Sequence, residues 1–174
     1  MPLIDAYMKC SGIAGSYNPS EGALKGAARL QVSHKDWSEI YSLKYSLSGG
    51  EFPQFDINKP VDAASNDLYL LFLKTRARDI QKGGKFADQF IKQIEIELCR
   101  WVDTNDDGVV DEFKVFIRYQ FDQCRVLDYS TDMNFEADDL PGEEISFGFR
   151  KMQMFYYDPE ETLTYSWDFS AGKK

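Results

Sequence analysis

The chain has 174 residues and 20.1 kDa, 43% hydrophobic and 15% aromatic. A chain of this size buries about 70% of its unfolded surface in one domain and is cramped as two. Its 29 acidic and 20 basic residues leave a formal charge of −9, which argues against nucleic acid as a partner, because phosphate recognition needs clustered Lys and Arg. No apolar run approaches the ~18 residues of a membrane-spanning helix. The opening Met1-Pro2-Leu3-Ile4-Asp5 lacks a basic start ahead of an apolar stretch. Neither membrane insertion nor a classical signal peptide is therefore expected.

Period-two alternation dominates the chain. Asp5 to Lys9 predicts a first strand that ends at Ser11-Gly12. His34, the single histidine, sits beside Lys35-Asp36 and reads as a solvated loop residue. Tyr41, Leu43, Tyr45 and Leu47 alternate with polar residues and predict another strand. One helix is expected after the third strand. Ser65 is its N-cap, Asp67 lies in the first turn and Gly83-Gly84 is its end. Leu68, Leu71, Phe72 and Thr75 share one face, which predicts a lid over the sheet.

Ile94 to Leu98 and Phe113 to Phe121 alternate cleanly as strands. Ile145, Phe147 and Phe149 are apolar at odd positions, whereas Met152, Met154 and Tyr156 are apolar at even ones. A strand that keeps one face buried through such a flip needs an inserted residue, so a β-bulge is expected across Arg150-Lys151. A long bulged strand suits a barrel. Leu163 to Phe169 predicts the last strand. The expected fold class is mainly β: an antiparallel β-barrel with one inserted α-helix, forming a single domain over residues 1–174.

Chemistry is sparse along this chain. Cys10, Cys99 and Cys124 are odd in number and far apart. They read as three partly buried thiols in a reducing compartment, without a disulfide framework or a zinc pair. Asp103, Asn105 and Asp107 place oxygens at positions one, three and five of a calcium-type loop, with Gly108 at six and Asp111 at nine. Position twelve, however, is Lys114 rather than the closing Glu, and both flanks alternate as strands. The preferred reading is a hairpin turn on Asp107-Gly108. Asp103, Asn105, Asp107 and Asp111 are kept as a candidate calcium turn. No Gly-rich phosphate loop, Gly-x-Ser-x-Gly or Cys–His pair occurs, so neither an enzyme nor a cofactor is expected.

Six segments fall in an order that points further. Ala6-Tyr7-Met8-Lys9-Cys10-Ser11-Gly12-Ile13-Ala14-Gly15 is a strand running into a Gly-Ile-x-Gly turn. Tyr41 to Ser48 follows as a second strand. Lys59-Pro60-Val61-Asp62-Ala63-Ala64-Ser65 then has the pattern Lys-x-x-Asp-x-x-Ser ahead of the helix. Glu112 to Ser130, the parity-flipping stretch Ile145 to Tyr156, and Tyr165-Ser166-Trp167-Asp168 complete the series. Together they resemble the Hcp family, the haemolysin-coregulated proteins of bacterial type VI secretion.

The resemblance implies a tube subunit. Its hexameric rings would stack into a hollow inner tube that a contractile sheath drives outward behind a VgrG-type spike, carrying or chaperoning small effectors in the lumen. It implies a Gram-negative bacterial cytoplasm, followed by secretion of the folded protein without a signal peptide. The stretch Ser48 to Phe55 is shorter than the family's loop there, while Ser16 to Lys35 and Ile80 to Phe90 are longer. Stacking contacts are therefore expected to differ. Two other readings of the residues stay open: a tail-tube protein of a phage or another contractile injector, and a calcium-dependent β-type binding module.

Overall fold

The computed structural model describes residues 4–17, 34–46, 53–80, 90–102, 108, 112–132, 141–157 and 160–169. The strands are β1 (Ile4–Cys10), β2 (Ser38–Ile40), β3 (Ser42–Ser46), β4 (Gln54–Pro60), β5 (Ile91–Val102), β6 (Glu112–Asp132), β7 (Gly142–Gly148), β8 (Lys151–Tyr157) and β9 (Thr162–Asp168). Among the described residues one helix, α1 (Ala64–Ile80), follows β4. The expected strands are all found, and every strand pairing is antiparallel.

β6 organises the sheet. Its first half pairs with β5 on one edge and β8 on the other, and its second half pairs with β7. β1 and β2 extend the β5 side, β4 and β3 extend β7, and β9 extends β8. The long strand thereby belongs to two sheets and turns from one into the other.

The turn lies where the sequence parity flips, but its mechanism differs from the expected bulge. Arg125 pairs with Gly148 and Asp122 with Lys151, so three steps on one strand match three on the other. No residue is inserted between them. Instead both strands flip together. β6 buries Val126 and Cys124 and then Phe121 and Tyr119, while its partner buries Phe147 and Phe149 and then Met152. Gln123 takes a left-handed φ of 55° at this corner, a conformation costly for a residue with a Cβ. Arg150 fastens it: its amide donates to the Asp122 carbonyl (3.1 Å) and its guanidinium to Gln123 Oε1 (3.1 Å). True register shifts occur nearby, between Val126 and Asp128 and between Leu98 and Cys99.

The hydrogen-bonded sheet does not close on itself as the expected barrel would. Its main strand order runs β2-β1-β5-β6-β7-β4-β3. The two end strands are successive stretches of one segment, parted at Tyr41, whose amide donates to the Asn58 carbonyl (2.7 Å). The chain itself carries the circuit from one sheet to the other. Inside, Phe55 stacks on Phe121 (4.1 Å between ring centroids) and Phe147 (5.0 Å). Leu68 is fully buried and Leu71 and Phe72 pack against the core, so α1 is the expected lid.

Candidate functional site

The candidate calcium turn was the one ligand set expected from sequence. Its residues Asp103, Asn105, Asp107 and Asp111 lie outside the described residues. What is described around them is hairpin geometry: Val102 pairs with Glu112, and Gly108 has a φ of 81°. Among the described residues no group of three or more His, Cys, Asp or Glu is arranged around a metal position.

The polar chemistry lies in two buried clusters. The first explains the Lys-x-x-Asp-x-x-Ser pattern. Lys59 points inward from β4, fully buried, because it alternates with Phe55 and Ile57. Its ammonium donates to the carbonyl of Pro60 (2.7 Å) and to Ser65 Oγ (3.2 Å), and it pairs with Asp62 (2.8 Å) and Glu143 (2.9 Å). Glu143 comes from β7 and accepts from the Tyr129 hydroxyl on β6. Burial and that carboxylate push the Tyr129 phenol well above its ordinary range. The cluster thus ties β4, β6 and β7 to the entry of α1.

The same residues cap the helix, with roles other than those expected. Asp62 is the N-cap: its Oδ1 accepts from the Ala64 amide (3.0 Å). Ser65 sits three residues on and its Oγ accepts from the Asp62 amide (2.8 Å). This is a variant of the capping box, with the N-cap side chain on the second helical amide and the Ser65 hydroxyl closing back on the cap amide. It places Ser65 inside the first turn rather than before it.

The second cluster corrects the reading of His34. The imidazole is 1% exposed, not solvated. Its Nε2 lies 2.7 Å from Glu97 Oε2, and the ring stacks on Tyr7 (4.4 Å) with Trp37 edge-on (4.9 Å). Arg118 Nε donates to Glu97 Oε1 (2.7 Å). Burial alone would raise the Glu97 carboxyl, but the His34 hydrogen bond and the Arg118 guanidinium outweigh it and hold it below its ordinary range. With Cys99 and Phe113 these aromatics form a smaller core on the outer face of the sheet.

All three cysteines are buried and free. Burial raises the thiols of Cys10 and Cys99 to about 12, which removes the thiolate that nucleophilic or ligand chemistry needs. Neither buried cluster opens a reactive group to solvent. What the molecule does present is apolar surface: Leu163, Tyr165 and Trp167 on β9, Tyr45 on β3, and Tyr69, Leu70 and Leu73 on α1 are all exposed. These surfaces suit assembly better than catalysis.

Comparison with solved structures settles the architecture. Hcp1 from Salmonella typhimurium superposes with a TM-score of 0.69 over 98% of this chain and 97% of its own, at 19% identity. The fold is the Hcp fold. Hcp3, a secreted protein from Pseudomonas aeruginosa, matches at 0.66 over 96% and 99% with 14% identity. A type VI secretion system effector from Yersinia pestis matches at 0.62 over 94% and 99% with 18% identity. No protein-family model and no curated protein matches the sequence. Both glycines of this chain's Gly-Ile-x-Gly turn stand in demanding positions. Gly12 has a φ of 79°. At Gly15 a Cβ would stand 2.3 Å from the Trp37 carbonyl carbon.

Proposed function

We propose that this protein is an Hcp-type subunit of a type VI secretion inner tube and acts without catalysis. The observation that carries the reading is coverage: an Hcp structure spans 98% of the chain with its own ends accounted for to 97%. The six segments of Hcp pattern in the sequence support it. So do buried clusters that brace the scaffold, and apolar side chains left outside it. In this role six copies close into a ring, and rings stack into a tube whose lumen carries small effectors. A spike and a contractile sheath complete the machine, and the folded subunit passes from the cytoplasm outward.

Native mass spectrometry of the purified protein tests the reading, with negative-stain microscopy beside it. Six copies around a central hole are the expected result. A protein that stays monomeric at high concentration would overturn it.

A further inference from the structure

The helix is apolar on two sides. Leu68 and Thr75 are buried and mark the side that faces the core. At about 3.6 residues per turn, Leu70 and Leu73 form a second stripe on the opposite side. They are 43% and 42% exposed. A helix that serves only as a lid carries polar residues there.

Two flanks border this outer stripe. Asp67 and Lys74 lie along one side of it, and Tyr69 and Arg76 along the other. All four are exposed. The pattern fits itself when turned end over end. A two-fold axis that runs between two antiparallel helices, perpendicular to both, sets each flank against the same flank of the other copy. Leu70 then meets the partner's Leu73, and Asp67 meets the partner's Lys74. Tyr69 meets the partner's Arg76, a cation against an aromatic face. A parallel pair would instead set Lys74 beside the partner's Arg76, like charge against like. Copies of charge −9 repel one another in general. On this face two bases and one acid are arranged so that opposite signs meet.

We infer that the outer face of α1 docks, antiparallel, on the same face of a second copy. An isologous contact joins two copies and stops. It therefore neither closes a ring nor lengthens a stack, and it goes beyond the tube reading above. A contact that ends growth competes with contacts that continue it, so pairs joined through α1 hold subunits back from the tube until they part.

Native mass spectrometry and sedimentation velocity of the unaltered protein are expected to show a paired species: two copies where rings do not form, two rings joined where they do. Leu73→Glu should remove that species and leave the circular dichroism spectrum unchanged, because the side chain lies off the core. Asp67→Lys turns two attractive pairs into repulsive ones and should raise the dissociation constant on the order of tenfold. Asp67→Lys combined with Lys74→Asp restores the pairing with its signs exchanged and should bring the paired species back. Neither substitution favours the helix dipole, so recovery cannot come from a steadier helix. A paired species that is absent from the unaltered protein, indifferent to Leu73→Glu, or not recovered by the exchange would overturn the contact. Rings without pairs would do so and leave the tube reading standing. Pairs without rings would support the contact and remove the tube reading.

Discussion

Single residues decide whether this scaffold holds. Gly15 is one, because its amide donates to the Asp36 carbonyl (2.7 Å) in a position where a Cβ would meet Trp37 and Ser38 backbone within 2.5 Å. Backbone cannot yield as a flexible side chain does, so Gly15→Ala is expected to cost on the order of 3 kcal/mol. A urea denaturation midpoint equal to that of the unaltered protein would refute the close approach. Glu97 is another. Its carboxyl is held low in the folded protein. The stability it contributes is present above the unfolded value of about 4.5 and is lost as pH falls through the folded one. Glu97→Gln should therefore lie below the unaltered protein in stability at pH 7, with the gap narrowing under acid. Denaturation midpoints across pH 7 to 3 check the sign. His34 was misread at this scale for a plain reason. Its immediate neighbours in sequence are polar, while the carboxylate it bonds comes from 63 positions away and the ring it stacks on, Tyr7, comes from another strand. Only long-range pairing brings them together.

Among elements, the helix and the β6 corner show how far pattern reading goes. The helix was legible as a lid because Leu68, Leu71 and Phe72 recur at helical spacing. The sequence reading puts its cap at Ser65, three residues late, since Asp62 and Ser65 are both competent caps and only hydrogen-bond geometry tells them apart. Asp62 carries two tasks: it caps α1 and pairs with the buried Lys59. Asp62→Ala should therefore exceed the ~1 kcal/mol of a lone cap and reach roughly 2 kcal/mol or more, because a buried ammonium loses a carboxylate. A loss near 1 kcal/mol by thermal or chemical denaturation would show the pairing to be idle. β4 was harder to see as a strand, because Lys59 occupies a fully buried position that alternation assigns to an apolar residue. The parity flip after Phe149 was legible as a disruption. Its coupled nature was not, because the compensating flip at Gln123 lies 26 residues earlier on the partner strand and the two are joined only by pairing.

For the molecule as a whole, composition and strand order carried the fold class, and the segment series carried the resemblance that the structural comparisons bear out as fold. What sequence left open is how copies meet. Each copy brings a charge of −9, so in the proposed assembly rings that stack face to face would repel one another at low ionic strength. Stacks of rings are expected to lengthen as salt is added, and sedimentation showing stacks at low salt alone would contradict this.

The segment from β2 to β3 has a consequence for wholeness. A single stretch of nine residues belongs to both extremities of the strand order, with Tyr41, the residue between its two strands, 63% exposed. The scaffold is laced shut by covalent continuity at that place and by strand pairing elsewhere. One protease cut beside Tyr41 would therefore loosen both rims at once, so this thinnest seam is where a digest of the intact subunit should begin to unlace it.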